Sequence, residues 1–159
     1  MSAPVAARAV TSLRSLEPPD LPAVLGIERA SFSTPWSERT FRSLLHRGDA
    51  DLLVAADAGG VTGYAAAWWA ADQAELGNLA VRPESRGRGV GRALLEAMLD
   101  RLRLRGVREC FLEVRVSNRA GLALYRAAGF TQAGLRKGYY TRPREDAVVM
   151  RKELETPAR

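Results

Sequence analysis

Glycines and arginines alternate at positions 86–91, and this run is the first feature of the sequence that predicts chemistry. It comprises Arg86, Gly87, Arg88, Gly89, Val90 and Gly91, with Arg92 directly after it, between an apolar strand-like segment and an amphipathic helix. Glycines let the backbone turn tightly and approach a phosphate, and free N–H groups at a helix start attract anions. We therefore predict an anion site, and note that a flexible turn with solvated arginines fits the same residues.

The spacing of these glycines differs from two common nucleotide-binding motifs. A Walker loop requires Gly-Lys-Ser/Thr, and the dinucleotide fingerprint requires a third glycine where this chain has Leu94. Nucleotide hydrolysis is therefore disfavoured.

Glu113 and Tyr125 are the candidates for proton transfer. Glu113 lies in a strand-like segment whose alternation places it with Phe111 and Arg115, opposite an apolar face. A carboxylate in such a strand costs free energy unless it is paired or used. Glu113 therefore fits a general base, or a glutamate paired with Arg115 or another arginine. Tyr125, on the next predicted helix, fits a general acid or a core side chain.

Hydrophobic periodicity predicts the elements that position these residues, in the order β-α-α-β-β-β-α-β-α-β-β. Strands are predicted at 9–16, 51–56, 61–70, 74–82, 110–115, 130–135 and 147–151; helices are predicted from Asp20, from Pro35, at 90–102 and at 118–128. The pattern indicates an α/β (α+β) fold, with a mixed, mostly antiparallel sheet of about seven strands flanked by four helices. We expect one domain over 9–154, with flexible tails at 1–8 and 155–159.

Composition narrows the class of protein. The chain has 159 residues, of which 47% are hydrophobic and 26% charged, as in a globular domain. No apolar run approaches the roughly 20 residues that span a bilayer, and the first residues lack a secretory signal. We expect a cytoplasmic protein with no membrane partner.

Charge and metal-binding residues exclude further classes. The formal net charge is +6, which favours an anionic ligand. The arginines are scattered along the chain, so we expect no direct binding to nucleic acid. The sole cysteine, Cys110, lies in an apolar run and is predicted to be buried and inert rather than an acyl carrier; the sole histidine, His46, lies at a predicted helix end. We predict no metal site.

The glycine-rich run resembles the Q/R-x-x-G-x-G/A motif of the GNAT superfamily of acetyltransferases. That resemblance implies that its backbone N–H groups hold the pyrophosphate of acetyl-CoA, with Arg92 near the phosphates. The preceding segment, residues 78–81, resembles the family strand that splays from its neighbour and bonds the pantetheine arm through main-chain groups of Leu79, Ala80 and Val81. Arg86 is a departure, because close relatives often carry Gln there.

The segment Leu112-Glu113-Val114-Arg115-Val116-Ser117-Asn118 is similar to the group of that superfamily that acetylates the N-terminal alanine of a ribosomal protein. The resemblance implies that Glu113 is the general base, acting through water, and that Tyr125 is the general acid. It also implies that Asn118 contacts the cofactor arm, and the same residue is placed to cap the helix.

Two further segments resemble the acceptor-binding parts of the same group. They contain Pro35 and Trp36 in one loop, and Tyr139 and Tyr140 in the final hairpin. The resemblance implies that these four residues flank a groove for a protein N-terminus. From the residues alone, Trp36 also fits a hydrophobic staple at a helix start, and one of the tyrosines fits simple core packing.

The implied reaction is transfer of the acetyl group of acetyl-CoA to a protein N-terminal α-amine, with a small-subunit ribosomal protein as partner. An α-amine has a reference pKa near 8 and lysine near 10.4, so lysine costs about 3 kcal/mol more to neutralise. A glutamate base therefore suits the α-amine better. The alternatives are a lysine or small-amine acetyltransferase, and an acyl-CoA-binding sensor without turnover.

Overall fold

A computed structural model describes residues 12–155 of the chain. The predicted tail 1–8, residues 9–11 of the first predicted strand, and residues 156–159 lie outside the described residues.

Within residues 12–155, seven strands form one sheet in the order β1-β2-β3-β4-β5-β7-β6. Only β4 and β5 are parallel, and the other neighbouring strands are antiparallel. The predicted mixed, mostly antiparallel sheet is therefore confirmed. The strands are β1 (Ser12–Ser15), β2 (Ala50–Asp57), β3 (Gly60–Ala70), β4 (Gln73–Val81), β5 (Glu109–Arg115), β6 (Thr131–Thr141) and β7 (Arg144–Glu153).

The four predicted helices cover the two faces of this sheet. They are α1 (Leu21–Ser31), α2 (Glu38–Leu45), α3 (Val90–Leu104) and α4 (Arg119–Ala127). Apolar residues of α1 and α2 form one core with Leu52, Val54 and Tyr64. Those of α3 form a second core with Tyr125 of α4 and with Leu112 of β5. Alternation along β5 therefore puts Glu113 on the α1 and α2 side of the sheet.

The second helix begins at Glu38 and not at Pro35, which corrects the prediction. The Ser37 hydroxyl accepts a hydrogen bond from the Thr40 N–H at 3.2 Å and makes Ser37 the N-cap. A serine that satisfies a free N–H defines the helix start more strongly than a favourable proline φ. Pro35 consequently lies in the loop between α1 and α2, residues 32–37, which we call the α1–α2 loop.

The final hairpin is longer than predicted, because β6 extends to Thr141 and β7 begins at Arg144. The extra part of β6 is an edge strand whose side chains are mostly exposed, so it lacks the apolar alternation that marks a strand. Register shifts on either side of Arg136 accommodate the irregular sequence, and Gly138 adopts a φ of +60°.

Within residues 12–155, no helix is long and apolar enough to cross a membrane.

Candidate active site

Strands β4 and β5 separate part of the way along their length. Their pairing begins at Gln73 and Glu109 and ends at Leu76 and Leu112. Beyond that point β4 pairs only with β3 and β5 only with β7. The separation begins at a bulge, where Gly77 is an extra residue in the register with β3. The sheet therefore has an open gap that begins at residue 77, beside Leu79, Ala80 and Val81.

The glycine-rich run forms the turn from β4 to α3, next to this gap. Gly87 and Gly89 have φ of +75° and +83°, and a Cβ at either position meets no protein atom within 4 Å. Helical bonding in α3 starts with Ala93 N–H donating to the Gly89 carbonyl at 3.0 Å, which leaves the preceding N–H groups without a helical acceptor. Left-handed glycines, open space and these N–H groups are compatible with a phosphate, and binding of the cofactor phosphates at this turn stays a prediction.

The arginines around this turn have several contacts. Arg86 donates to the Val81 carbonyl at 3.0 Å and to the Ser31 hydroxyl at 3.2 Å, so it fastens the turn to β4 and α1. Arg92 pairs with Glu96 one helical turn along, in an exposed pair that contributes little energy. Arg88 is exposed. A phosphate therefore competes with water for Arg88 and with a weak surface pair for Arg92, whereas the Arg86 side chain is already bonded to the protein.

Asn118 is the N-cap of α4, as predicted. Its Oδ1 accepts from the Gly121 N–H at 2.9 Å. This bond uses one end of the amide, and a contact between Asn118 and the cofactor stays a prediction.

Glu113 lies on β5 at the edge of the gap, with 14% of its side chain exposed. Its Oε1 lies 3.4 Å from Nε of Arg136 on β6. Hydrogen bonding to Glu113 raises the pKa of Tyr139, whose hydroxyl therefore keeps its proton. The sequence offered Arg115 or another arginine as a partner, and the arginine found is Arg136.

Tyr125 approaches from the opposite, α3 and α4 side of the sheet. Its ring packs edge-on against Phe130 at 5.9 Å between centroids. Burial raises the pKa of Tyr125 far above its ordinary value, with the nearby Tyr140 adding to the shift. Tyr125 is thus both a core side chain and a phenol that carries its proton at neutral pH.

The two tyrosines of the β6–β7 hairpin face the same region and contact each other edge-on at 5.0 Å. Tyr139 is 46% exposed and Tyr140 is half-buried, so neither is a simple core residue. Burial raises the pKa of Tyr140 to about 12, and the charge of Glu113 contributes in the same direction. The tyrosines and Glu113 therefore form one polar wall beside the gap.

Arg115 holds this hairpin against the rest of the protein. Its guanidinium lies over the Tyr140 ring at 4.2 Å and donates to the carbonyls of Arg142 and Pro143 at 3.0 and 2.9 Å. It also donates to the Ser33 hydroxyl in the α1–α2 loop at 3.1 Å. One side chain thereby joins the loop to the hairpin, and the sequence analysis assigned it no such function.

In the α1–α2 loop, Pro35 is exposed and Trp36 is half-buried. The Trp36 ring packs on Phe41 at 5.4 Å and on Trp68 at 6.0 Å. Trp36 precedes the N-cap and Phe41 is the fourth helical residue, so this is the hydrophobic staple that the sequence allowed. A contact of Pro35 or Trp36 with an acceptor stays a prediction.

Glu28 of α1 is a buried residue that the sequence analysis missed. It accepts hydrogen bonds from the Trp36 N–H at 2.8 Å, from the Asn78 side chain at 3.0 Å, and from the Tyr64 hydroxyl. Burial raises its pKa, and the bonds from Trp36 and Asn78 partly offset that rise. Its signal in the sequence is its place on the apolar stripe that contains Leu21 and Val24.

Other chemistries have less support in the described part of the chain. Burial raises the pKa of the Cys110 thiol to about 12, so it is not a thiolate nucleophile at neutral pH. Across residues 12–155, no group of His, Cys, Asp and Glu side chains is arranged to hold a metal ion. The turn at residues 86–92, which we call the cradle, offers a place for an anion. It lies with the Glu113 carboxylate and the protonated Tyr125 phenol around the gap between β4 and β5.

Comparison with known proteins agrees with this arrangement. The family model of the acetyltransferase (GNAT) family matches residues 21–130. The chain is 42% identical over 144 residues to the [ribosomal protein bS18]-alanine N-acetyltransferase of Escherichia coli K12, covering 89% of this chain and 96% of the relative.

Solved structures show the same similarity. The crystal structure of the ribosomal-protein-S18-alanine N-acetyltransferase from Escherichia coli superposes with a TM-score of 0.83 at 40% identity, covering 92% of this chain and 96% of that one. A GNAT superfamily phosphinothricin acetyltransferase from Sinorhizobium meliloti, solved in complex with AcCoA, has a TM-score of 0.78 at 29% identity, covering 90% and 88%.

The fold is thus that of a known family. The chain belongs to the acetyltransferase (GNAT) family and is an acetyl-CoA-dependent N-acetyltransferase.

Proposed function

We propose that this protein transfers the acetyl group of acetyl-CoA to the N-terminal α-amine of a protein, namely the N-terminal alanine of a small-subunit ribosomal protein in the cytoplasm. The catalytic unit is a single domain of residues 9–154. The observation that carries the proposal is the gap between β4 and β5, with Glu113 on one face of the sheet and Tyr125 on the other.

The donor side of the site is formed by β4 and the turn that follows it. The main chain of Leu79, Ala80 and Val81 lines the gap, and the run from Arg86 to Arg92 offers free N–H groups and positive charge. Acetyl-CoA supplies an activated acetyl group and a thiolate leaving group. Acetyl-CoA would extend from the cradle along β4, where main-chain N–H groups stabilise the developing oxyanion.

On the acceptor side, Glu113 removes a proton from the amine, through water. Its carboxylate lies at the gap and is partly open to solvent, so a water molecule can reach it. A peptide α-amine, with a pKa near 8, needs only a modest base at neutral pH. Nε of Arg136 pairs with one oxygen of this carboxylate at 3.4 Å.

On the donor side, Tyr125 protonates the leaving thiolate. Burial raises its pKa, so the hydroxyl carries its proton at neutral pH and has one to give to the thiolate as the C–S bond breaks. Proton removal and proton delivery thus occur on opposite faces of the sheet. That separation keeps Glu113 from taking the proton that Tyr125 must donate.

The acceptor is placed between the α1–α2 loop and the β6–β7 hairpin. Pro35 and Trp36 supply one wall, and Tyr139 and Tyr140 supply the other with rings that end in hydroxyls. The preference for a ribosomal alanine is supported by the relatives from Escherichia coli, which carry that activity in their names.

A peptide assay tests the proposal. Purified protein and acetyl-CoA are incubated with a peptide that begins with alanine and contains an internal lysine, and with the same peptide blocked at its N-terminus. We expect mass spectrometry to show acetylation at the α-amine of the first peptide and none in the second. Acetylation confined to lysine would contradict the proposal.

Two substitutions test the assignment of the acid and the base. Glu113→Gln and Tyr125→Phe each remove one proton-transfer group and keep the side-chain shape. We expect each to lower kcat by about 10²-fold or more, because general acid–base catalysis typically contributes 10²–10⁴-fold. Undiminished turnover in both variants would refute the assignment while leaving the peptide specificity intact.

A further inference from the structure

Glu28 is a fully buried carboxylate that the proposed reaction does not use. It is 0% exposed on the inner face of α1, beside apolar residues of α1, α2 and β3. Burying such a group costs several kcal/mol unless its oxygens accept hydrogen bonds. In the described part of the chain, no lysine or arginine forms an ion pair with it, and neutral donors surround it instead.

Two of those donors belong to opposite sides of the site. The Trp36 N–H, at 2.8 Å, belongs to the α1–α2 loop that forms one acceptor wall. The Asn78 amide, at 3.1 and 3.0 Å from the two carboxylate oxygens, belongs to β4, one residue before the main chain that lines the donor gap. Glu28 therefore bridges the acceptor wall and the donor strand.

The Trp36 ring adds a second contact between the α1–α2 loop and β4. A Cβ at Gly77, the extra residue of the β4 bulge, would lie 2.9 Å from the Trp36 ring and 2.4 Å from the Trp68 ring. Only glycine lets the ring approach the strand so closely. The indole thus rests on the bulge while its own backbone N–H is held by Glu28.

We propose that Glu28 is a positioning residue, which fixes the α1–α2 loop to the bulge of β4 and so sets the acceptor wall against the donor strand. The inference rests on the proposed function, because it takes this loop as the wall that receives the acceptor. Backbone N–H groups in loops ordinarily donate to water, whereas the Trp36 N–H donates to the buried Glu28 carboxylate. The groove is therefore formed before the acceptor arrives.

Preorganisation predicts a selective kinetic effect. If the loop must be ordered by the acceptor itself, part of the binding energy is spent on ordering, and the acceptor KM rises. The glycine-rich turn makes no contact with Glu28, and β4 stays paired with β3 on both sides of Asn78 when its side chain loses this acceptor. The KM for acetyl-CoA therefore changes little. Loss of Glu28 should therefore raise the KM for the acceptor and leave the KM for acetyl-CoA nearly unchanged.

Steady-state kinetics on four proteins test the inference. Glu28→Leu fills the volume without an acceptor, whereas Glu28→Gln keeps an oxygen for the Trp36 N–H. Thr62→Val is the matched control, because Thr62 is equally buried on β3 and its hydroxyl bonds the Ala55 carbonyl, away from the loop. The fourth protein is the wild type, and the acceptor is the alanine-initiated peptide.

In Glu28→Leu we expect the peptide KM to rise about tenfold or more, since one charge-assisted bond corresponds to at least that factor. The acetyl-CoA KM stays within about twofold of the wild type. Glu28→Gln restores the peptide KM to within about threefold. Equal changes in both Michaelis constants, or the same pattern in Thr62→Val, would overturn the inference.

Amide hydrogen exchange gives a second readout that does not depend on activity. In the wild type, the Trp36 amide is expected to exchange at least about a hundredfold more slowly than the exposed loop amides of Ser33 and Thr34, because Glu28 holds it in a buried bond. In Glu28→Leu that protection is lost, and in Glu28→Gln and Thr62→Val it remains. A Trp36 amide that exchanges as fast as its neighbours refutes the inference.

The two readouts separate failure of this inference from failure of the proposed function. A wild type that does not acetylate alanine-initiated peptides but protects the Trp36 amide would contradict the proposed function alone. An active wild type with an unprotected Trp36 amide would contradict the positioning function of Glu28 alone.

Discussion

Replacing Arg115 should loosen the β6–β7 hairpin from the rest of the protein. Arg115→Ala removes the bonds to the carbonyls of Arg142 and Pro143 and to the side chains of Ser33 and Glu145, together with the contact with the Tyr140 ring. The guanidinium is only partly exposed, at 24% of the side-chain area, so these contacts are screened less than surface pairs. The four hydrogen bonds contribute about 2 kcal/mol together, and the cation–π contact about 0.5–1 kcal/mol. The expected loss of unfolding free energy is about 3 kcal/mol.

Urea denaturation measures this loss, with Arg115→Lys and Arg42→Ala as controls. A lysine at 115 keeps the charge but not the fork of donors, so we expect it to recover about 1 kcal/mol. Arg42 forms an exposed pair with Glu38 and should cost at most about 0.5 kcal/mol when removed.

The same variants should show a kinetic effect, since the hairpin carries Tyr139 and Tyr140. The KM for an alanine-initiated peptide should rise in Arg115→Ala and less in Arg115→Lys. If Arg115→Ala costs no more unfolding free energy than Arg42→Ala, the contacts around Arg115 do not hold the hairpin in place.

Two further predictions concern the cradle and the buried carboxylate. Gly89→Ala forces a side chain into a left-handed conformation at a cost of roughly 1 kcal/mol and points it into the open cradle, so the acetyl-CoA KM should rise. Gly91→Ala is the control, because its Cβ would meet its nearest neighbour at 3.5 Å, and it should bind acetyl-CoA as the wild type does. Equal binding by both variants would contradict the prediction that the phosphates bind in the cradle. The pKa of Glu28 in the folded state is raised above its ordinary value of 4.5, so the folded state holds this proton more tightly than the unfolded state. The unfolding free energy of the wild type, relative to that of Glu28→Gln, should therefore fall as the pH rises from about 4.5 through the folded-state pKa. Urea titrations at several pH values check the sign, and a difference that grows with pH would refute it.

Local patterns were sufficient to predict most of the fold. The stripe of Leu21, Val24 and Ile27 predicts α1, and the glycine run followed by apolar positions of α3 predicts the cradle. The failure at β6 has a physical cause, since an edge strand with exposed side chains on both faces carries no periodic signal. The start of α2 was misplaced because Pro35 and Ser37 both suit helix starts, and only the hydroxyl bond to Thr40 decides between them.

The parts of the site that sequence did not predict depend on contacts between distant segments. Arg115 meets Ser33, which lies 82 residues before it, and Glu28 meets Asn78, which lies 50 residues after it. Local spacing carries no information on such pairs. A buried stripe that includes a glutamate is nevertheless a usable signal, because a carboxylate at that position needs donors and the donors must come from elsewhere in the fold.

Several features around the gap between β4 and β5 depart from ordinary local preferences. Gly87 and Gly89 adopt left-handed conformations, Gly77 adds a residue to a strand, and Glu28 buries a carboxylate without an ion pair. Elsewhere in the described chain, the helices and most strands follow their local preferences. Features that cost stability are kept in a protein when many surrounding contacts hold them in place and function requires them. The glycines open space for phosphate, the bulge opens the gap, and Glu28 holds the acceptor wall against that bulge. In the proposed reaction, donor and acceptor reach the gap from opposite faces of the sheet, so the wall and the strand must keep a fixed distance. A buried polar bridge fixes that distance more specifically than apolar packing.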